Sequence, residues 1–450
     1  MTEEVVLWWV RRDMRLDDNP ALTWAAQQGY CVQPIFIHAP QEEGAAAAGA
    51  AARWWQHQAL HSLQAQLAQE DGQLAVYSGD SQSCLQQAIR DTGAVGVIWN
   101  RLYEPAIVER DAKVKSMLKD ADLLARSHAA ALLYEPWTIQ TKTGDPYKVF
   151  TPFWKACMRL TAPREPQPKA ANLAWAKHQG ACTIDDLGLD PQHSWTNSLA
   201  AHWDVSEAAA QQRLETFLNG ALDDYAEDRN RPDLDGSSAL SPYLHHGQIS
   251  PHRVWARAHS ADRDAESTRR FVAELGWREF AHHLLWHFPD TPRTNFNSRF
   301  NAFPWRAGAA CGDDLEAWQR GQTGIDIVDA GMRQLWSTGW MHNRVRMLVG
   351  SLLTKNLGIH WHAGADWFWD TLVDADLASN TLGWQWVAGC GADAAPYFRI
   401  FNPDTQAEKF DPDGRYRKRW LSQQRRPDKP IVDPKASRAG ALEAYAQVKG

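Results

Sequence analysis

Residues 5–10 read VVLWWV, an uninterrupted run of apolar residues. Four further short apolar runs follow it: CVQPIFI at 31–37, LAVY at 74–77, VGVIW at 95–99 and ALLY at 131–134. Between these runs, Leu60, Leu63 and Leu67 recur at helical spacing, and residues 84–89 form a second amphipathic segment. Buried strands that alternate with helices are typical of a parallel sheet covered on both faces. Residues 1–133 are therefore predicted to form a doubly wound α/β domain.

The rest of the chain has a different pattern. Residues 134–205 contain Pro, Gly and isolated aromatics, with PREPQPK at 163–169, and are predicted to be an interdomain linker. After residue 205 the strand pattern gives way to helical segments, for example 206–219, 266–287, 325–338 and 342–357. Residues 206–450 are predicted to form an all-α domain.

The composition restricts the class of protein. The 450 residues are 44% hydrophobic and 22% charged, which excludes a disordered, collagen-like or coiled-coil chain. The start of the chain lacks the pattern of a signal peptide, no apolar run has the length of a membrane span, and the six cysteines show no C-x-x-C spacing. We therefore expect a cytoplasmic protein that does not bind membranes. Its 24 tryptophans exceed what an ordinary core uses.

The charge is unevenly distributed along the chain. The formal net charge is −7, yet residues 411–450 contain ten Lys or Arg and five Asp or Glu. A protein that is acidic overall can still carry a local basic face for an anionic partner.

The common sequence motifs for dinucleotide and zinc binding do not identify a site in this chain. The only G-x-G-x-x-A match, GCGADA at 389–394, lies inside the helical half, so it lacks the strand before it that a dinucleotide-binding loop requires. Glu279, His283 and His287 are four residues apart and share one helix face. Their order differs from the H-E-x-x-H order of catalytic zinc sites, and we expect an ordinary packed helix. No metal site is predicted.

A group of polar residues in the helical half is more informative. The segment DGSSALSPYLHHGQISP at 235–251 places Ser237, Ser238 and Ser241 at a turn before a helix, where the hydroxyls either cap the helix or bind a phosphate. Other acids, amides, arginines and indoles recur within single helical turns: Glu274, Trp277 and Arg278; Asn343, Arg344 and Arg346; Asp374, Asp376, Asn380, Trp384 and Trp386. Charged groups in an aromatic-rich domain need partners, and an ion pair of Arg346 with Asp374 is predicted. We expect a polar pocket walled with indoles.

These segments identify a family. The chain resembles the DNA photolyase and cryptochrome family along essentially its whole length, in VVLWWVRRDMRLDDNPAL at 5–22, TKTGDPYKVFTPFW at 141–154, SALSPYL at 238–244, WREF at 277–280, TGWMHNRVRM at 338–347, GWQW at 383–386 and DAAPYFRIFNPDTQ at 393–406. The resemblance implies an N-terminal antenna domain and a helical domain that binds FAD. It implies the following cofactor-binding residues: Tyr225, Ser237, Ser238, Leu240, Ser241, Phe271, Glu274, Arg278, Asn343, Arg346, Asp374, Asp376 and Asn380.

The resemblance also implies roles in DNA repair. Photolyases of this family split cyclobutane pyrimidine dimers with an electron from photoexcited reduced flavin, after the lesion is flipped out of the duplex. The residues implied to contact the lesion are Glu274, Trp277, Asn343, Met347 and Trp386, with Arg229, Arg344 and Gln406 as contacts to DNA. Trp384, Trp361 and Trp305 resemble the indole chain that reduces an oxidised flavin. Core packing competes as the explanation of Trp305, because an insertion around 306–314 is needed to align it. The basic run Arg415, Arg417, Lys418 and Arg419 either meets phosphates or is a solvated surface.

Three functions compete within the family: dimer repair, (6-4) repair and cryptochrome signalling. Asn380, a neutral amide, stands where plant cryptochromes carry a carboxylic acid facing the flavin. Relatives that repair (6-4) lesions carry a histidine pair where this chain has Asn343 and Met347. We therefore predict a dimer-repairing lyase that acts on DNA as a monomer, with cryptochrome-type blue-light signalling as the alternative.

The antenna cofactor follows from a second segment. One folate-binding mode uses an adjacent Asn and Glu where this chain has Ala106 and Ile107. The segment EPWTIQTKTGDPYKVFTPFW at 135–154 is similar to class III photolyases, which bind methenyltetrahydrofolate differently. Folate is therefore the predicted antenna, with 8-hydroxy-5-deazaflavin or an empty site as alternatives.

Overall fold

The first part of the chain forms a parallel sheet in the computed structural model, which describes residues 4–160, 162–191, 193–260, 265–394, 398–422 and 427–448. The strands are β1 (Val5–Val10), β2 (Cys31–His38), β3 (Ala75–Ser78), β4 (Gly96–Asn100), β5 (Leu124–His128) and β6 (Ala174–Trp175). Their order is β3-β2-β1-β4-β5, and β6 also pairs with β2. All pairs are parallel, which confirms the predicted doubly wound sheet.

Strand β1 shows why its sequence is continuously apolar. Val6, Trp8 and Val10 pack into one buried cluster, whereas Leu7 and Trp9 pack into another on the opposite face of the sheet. A parallel strand covered by helices on both faces has no solvent side. Alternation of polar and apolar residues is therefore absent from the strand that begins the fold.

The prediction for the fifth strand is wrong. The run ALLY at 131–134 has no strand structure, and the fifth strand is Leu124–His128. Strand β5 lies at the edge of the sheet and is only partly buried, so it carries no apolar run. Leu132 and Leu133 are buried in a loop whose backbone binds side chains instead of a neighbouring strand.

The described residues also contain twenty α-helices. They are α1 (Pro20–Gln28), α2 (Pro40–Glu43), α3 (Ala50–Gln69), α4 (Ser81–Thr92), α5 (Pro105–Asp120), α6 (Phe150–Cys157), α7 (Thr196–His202), α8 (Glu207–Leu218), α9 (Tyr225–Asp228), α10 (Ser241–His245), α11 (Pro251–Ser260), α12 (Ala265–His287), α13 (Gly312–Gln319), α14 (Asp326–Thr338), α15 (Asn343–Ser351), α16 (Trp361–Thr371), α17 (Leu377–Ala388), α18 (Pro403–Phe410), α19 (Arg415–Leu421) and α20 (Pro434–Val448). Within the described part of residues 206–450 every named element is helical, as predicted. No helix in the described ranges combines the length and apolar character needed to cross a bilayer.

The segment predicted as a linker carries regular structure. It contains α6, β6, α7 and a short 3₁₀ turn at Asp185–Leu187, while residues 161 and 192 lie outside the described residues. Strand β6 pairs Ala174 with Cys31 and Trp175 with Val32, and α6 packs against α12. The connection therefore lies against both the sheet and the helical half.

Helix α12 positions much of the helical half. It packs against α6, α9, α11 and α17. Gly276 allows the close approach of α6, because a Cβ there would lie 2.6 Å from the Trp154 ring. The predicted helix 342–357 is α15 followed by a π-helical turn at Leu352–Asn356. Gly389, in the GCGADA segment, ends α17 with φ 90°, so this glycine is a helix C-cap.

Candidate functional site

A cavity of about 600 Å³ opens within the helical half. Residues from α9, α10, α12, α15 and α17 line it. Most of the residues predicted from the sequence meet at this cavity: Tyr225, Arg229, Ser237, Ser238, Leu240, Ser241, Phe271, Glu274, Trp277, Arg278, Asn343, Arg344, Arg346, Met347, Asp374, Asp376, Asn380, Trp384 and Trp386. The volume falls within the range of cofactor and ligand pockets, and the apolar wall with a few convergent polar groups is typical of such sites.

Three predicted residues lie away from the cavity wall. Trp361 is 1% exposed in the core beside it, and Trp305 packs on the outside of that core. The ring centroids of Trp305 and His360 are 5.2 Å apart, and those of His360 and Trp361 are 5.7 Å apart. The residues after Trp305 form a 3₁₀ turn at Gly308–Cys311 before α13 begins. Gln406 lies on α18 and does not line the cavity.

The predicted ion pair at the cavity is confirmed. Arg346 Nη2 donates to both carboxylate oxygens of Asp374, at 2.8 and 3.1 Å. Asp374 also accepts from the Ser241 hydroxyl at 2.6 Å, and that hydroxyl accepts from Trp340 Nε1 at 3.2 Å. The four side chains tie α10, α15 and the loop that precedes α17 into one polar wall. Ser241 is thus hydrogen-bonded to a carboxylate, while Ser237 and Ser238 line the cavity at the preceding turn.

Glu274 forms a second ion pair at the wall. Its Oε1 lies 2.6 Å from Arg229 Nη2. Burial raises the pKa of Glu274, and the Arg229 charge only partly opposes that shift. The two oxygens of this carboxyl group are available at the cavity wall as hydrogen-bonding atoms.

The start of α17 is fixed by two side chains that line the cavity. Asp376 caps the helix by accepting from Ser379 N at 2.8 Å, and its other oxygen faces His245 Nδ1 at 3.4 Å and His282 Nε2 at 3.6 Å. Burial alone would raise the pKa of Asp376, but the two histidines hold it well below its usual range. Asn380 Nδ2 donates to Ala365 O at 3.1 Å, which fixes the plane of the amide.

Two indoles of the cavity, Trp277 and Trp386, are only partly covered. Trp277 stacks on Phe150 with ring centroids 3.7 Å apart and planes 9° apart. The Arg399 guanidinium lies 5.0 Å from the centroid of the Trp386 ring. Trp384, by contrast, is 3% exposed and packs edge-on against Phe368 at 5.0 Å. Trp277 and Trp386 therefore offer accessible aromatic surface, and Trp384 belongs to the wall behind them.

The sequence analysis missed five polar or aromatic residues of the wall: Asn230, His245, Trp340, Phe368 and Ser379. Asn230 Oδ1 accepts from Arg344 Nη2 at 2.6 Å. His245 and Trp340 stand inside quoted segments, yet each acts through a partner distant in sequence. The spacing of His245 and Trp340 in the sequence does not mark them as wall residues. The one available signal was that charged residues stand near them in the same segments.

The row of Glu279, His283 and His287 binds the backbone of the loop that precedes α6. Glu279 accepts from Leu133 N at 2.9 Å and Tyr134 N at 3.1 Å, and both histidines face Pro136 O. Arg278 donates to Ala131 O at 2.6 Å. This face of α12 therefore holds the ALLY segment in place, which accounts for its burial without a strand.

The cavity fits the flavin that the family resemblance implies. Arg346 and Arg278 supply cationic donors, the serine turn supplies hydroxyls, and Phe271, Leu275 and Val387 supply apolar wall. A dinucleotide with an anionic bridge and a flat ring system needs these three kinds of surface together.

Comparisons with known proteins agree over both halves of the chain. A family model described as DNA photolyase matches residues 6–171, and one described as the FAD binding domain of DNA photolyase matches residues 271–449. The chain is 42% identical to the deoxyribodipyrimidine photo-lyase of Agrobacterium fabrum, over 99% of this chain and 98% of that protein. It is 38% identical to Cryptochrome-2 of Arabidopsis thaliana, over 92% of this chain and 69% of that protein. A solved bacterial class III photolyase from Agrobacterium tumefaciens superposes with a TM-score of 0.93 at 41% identity, covering 100% of this chain and 98% of that one.

Proposed function

This chain belongs to the DNA photolyase family, and we propose that it is a light-dependent lyase that splits cyclobutane pyrimidine dimers in DNA. The observation that carries the proposal is that one cavity gathers the residues implied to bind the flavin and those implied to bind the lesion. The 42% sequence identity to a deoxyribodipyrimidine photo-lyase, which extends over 99% of this chain, supports the same reaction.

The FAD-binding half supplies the redox chemistry. When bound, reduced FAD provides, on absorbing blue light, the electron that opens the dimer. In this proposal Ser237 and Ser238 hold the phosphates. Arg346, locked by Asp374, supplies a fixed cation at the ring system, and Asn380 supplies a neutral amide. Because Asn380 carries no acidic proton, it does not protonate the ring.

The lesion is proposed to enter between Trp277 and Trp386. Their accessible faces can stack on bases that have left the duplex, each contact being worth about 1–3 kcal/mol. Glu274, with its raised pKa, and Asn343, which is exposed at the start of α15, supply hydrogen bonds to the dimer. Met347 adds apolar contact. A pyrimidine dimer stacks poorly, which lowers the cost of extruding it.

The structure supports some of the proposed DNA-contacting residues more strongly than others. Arg229 and Arg344 line the cavity, at hydrogen-bonding distance from Glu274 and Asn230 respectively, so partners hold both guanidiniums at the wall. Gln406 stands on α18 outside the cavity wall and remains a proposal from resemblance alone. In the basic run, Arg417 pairs with Asp411 at 2.9 Å and Arg415 with Asp413 at 3.3 Å. Lys418 donates to the backbone oxygen of Asp413 at 3.2 Å, and Lys418 and Arg419 are the members proposed to meet phosphates.

An electron path to the cavity is proposed through Trp384, Trp361 and Trp305. Trp384 forms part of the cavity wall, Trp361 is buried in the same core, and Trp305 is partly exposed at its outer side. His360 lies between the last two rings. The order from wall to surface is what such a path requires.

The antenna is proposed to be methenyltetrahydrofolate, with 8-hydroxy-5-deazaflavin as the alternative. The segment that carries this proposal includes Trp137, which is 39% exposed and whose ring lies 4.9 Å from that of Trp286. A partly exposed indole pair is a surface on which a flat heterocycle can stack. The absorption spectrum of the purified protein distinguishes the two chromophores by band position.

Repair is tested with an oligonucleotide that contains one thymine dimer. Purified, reduced protein is expected to restore the dimer under blue light and to leave it unchanged in the dark. A protein without flavin absorbance, or one that restores no dimers in the light, would overturn the proposal. A parallel oligonucleotide with a (6-4) lesion is expected to remain unrepaired.

Two further proposals have their own tests. Size-exclusion chromatography tests the proposed monomer, and cell fractionation tests the proposed cytoplasmic location.

Signalling of the cryptochrome type is the second candidate, since Cryptochrome-2 of Arabidopsis thaliana shares 38% identity. The neutral Asn380 at the cavity favours repair. Asn380→Asp is expected to place a proton donor beside the flavin and to stabilise its neutral radical in the light. If the unaltered protein already accumulates that radical and repairs no DNA, signalling is the better assignment.

A further inference from the structure

A second cluster of ligating side chains lies on the N-terminal half, outside the cavity. His57 and His61 stand one turn apart on α3, and Asp185 belongs to the 3₁₀ turn of the connecting segment. His57 Nε2 and His61 Nε2 are 3.1 Å apart, and each lies 3.0 Å from the same oxygen, Asp185 Oδ1. Three ligand atoms from two distant parts of the chain thus meet at one point.

The spacing of these atoms matches the face of a coordination tetrahedron. Zinc binds imidazole nitrogen and carboxylate oxygen at about 2.0–2.2 Å, so adjacent ligand atoms of a tetrahedral site lie about 3.3 Å apart. The observed separations of 3.0 and 3.1 Å are close to that value. Two histidines four residues apart on a helix present both rings to one side, which is a common way to chelate a metal.

Hydrogen bonds alone explain the triangle poorly. If both Nε2 atoms carry protons, two donors meet one oxygen at an angle of about 60°, far narrower than the separation of its lone pairs. Neither donor then bonds the other, although the nitrogens are 3.1 Å apart. If one nitrogen is unprotonated, its lone pair faces the carboxylate. A cation at the centre removes this conflict over proton positions, because each of the three atoms then directs a lone pair at the cation.

Asp185 and its neighbour Asp186 point in different directions, and only Asp185 of the two faces the histidines. Asp186 accepts from Thr183 N at 2.8 Å and from its hydroxyl at 2.7 Å, so it closes the local turn. Asp185 instead points to the histidines, with 74% of its side chain exposed. The exposure leaves room for water as a fourth ligand.

We propose that His57, His61 and Asp185 form a binding site for a divalent transition metal of the zinc type, which fastens the connecting segment to α3. The ligand set of two imidazoles and one carboxylate suits Zn²⁺, Ni²⁺ and Cu²⁺. The site is separate from the flavin cavity, so metal binding stabilises the connection without entering the repair reaction. Because folding brings the ligands together, the metal holds two segments that are 124 residues apart in sequence.

The first test measures zinc binding to tag-free, full-length protein by competition with a chromogenic chelator. One equivalent of Zn²⁺ is expected to bind. His61→Ala and Asp185→Asn are each expected to weaken that binding at least about tenfold. His259→Ala, which removes an exposed histidine on α11, is the matched control and is expected to bind zinc like the unaltered protein. Circular dichroism and dimer repair should be unchanged in all three variants.

The second readout is limited proteolysis at Lys177, an exposed residue in the same connection. Zn²⁺ is expected to slow tryptic cleavage after Lys177 in the unaltered protein and in His259→Ala, but not in Asp185→Asn. The proposal is overturned if the unaltered protein binds no more Zn²⁺ than His61→Ala, or if His259→Ala loses as much binding as His61→Ala. Failure of dimer repair alone leaves the zinc result unaffected, so the two proposals fail separately.

Discussion

Tryptophan is abundant in both halves of the molecule, but its surroundings differ. In the sheet, Trp8 and Trp99 are fully buried, and each indole N–H donates at 3.1 Å to a buried acid, Asp13 or Asp111. At the cavity, Trp277 and Trp386 are partly exposed; Phe150 stacks on Trp277, and the Arg399 guanidinium lies over Trp386. An indole whose ring and N–H are both satisfied by the core maintains the fold. An indole with accessible ring surface beside acids and arginines can bind a ligand.

The largest expected effect is on the sheet side of this comparison. Trp99→Ala removes a ring that is 0% exposed and leaves Asp111 without its indole donor. We expect the free energy of unfolding to fall by about 3–5 kcal/mol, measured by urea denaturation. Trp277→Ala should cost clearly less. Equal losses at the two positions would show that exposure does not separate the two kinds of indole.

The comparison extends to the acids of α12, where Glu274 lines the cavity and Glu279 holds the loop at Leu133. Burial raises the pKa of Glu279 to about 7. Between about pH 4.5 and 7 the folded state keeps a proton that the unfolded state has lost, so this group's contribution to stability falls as the pH rises through that window. From 1.36 kcal/mol per pKa unit, the loss amounts to about 3 kcal/mol.

The measurement for Glu279 is the urea midpoint between pH 4.5 and 8, compared with Glu279→Gln. The amide does not titrate, so the stability of the unaltered protein relative to the variant should decline with rising pH. A difference that is constant over this range would contradict the raised pKa.

The next effect concerns the accessible indoles. Trp277→Ala is expected to weaken binding of dimer-containing DNA by about 1–3 kcal/mol, because it removes a stacking surface. Trp336→Ala is the matched control, since this indole is 49% exposed and does not line the cavity. Fluorescence anisotropy with damaged and undamaged duplexes measures both. Equal weakening for the two duplexes would assign Trp277 to general DNA binding and not to the lesion.

The smallest change in binding or stability is expected at the buried wall. Trp384→Phe keeps an aromatic ring against Phe368 but removes the indole that we propose passes electrons to the flavin. Light-driven reduction of the oxidised flavin should slow strongly, while repair by chemically pre-reduced protein stays nearly unchanged. Absorbance during illumination follows the first process. If both processes slow equally, Trp384 acts in the repair step itself.

The sequence predicted most of the fold because burial on both faces leaves a continuous apolar run, as in VVLWWV. It failed where burial and strand structure separate. ALLY is apolar because it lies under α12, whereas LARSH at 124–128 forms a partly buried edge strand. Similarly, the charged residues of the cavity stood out, but His245 and Trp340 acquire their roles from Asp376 and Ser241, which only the fold brings to them. Gln406 shows the reverse, a residue chosen by resemblance that lies off the cavity wall.

The pairing of β6 with β2 also affects how the protein is made. During translation, Cys31 and Val32 each leave the ribosome 143 residues before their respective partners, Ala174 and Trp175. At about 5–20 residues per second, that part of the β2 edge waits roughly 7–30 s for the strand that covers it. An open strand edge is a site where nascent chains associate. The first half of this protein is therefore most exposed to misassembly while it is still attached to the ribosome, and slower synthesis lengthens that interval.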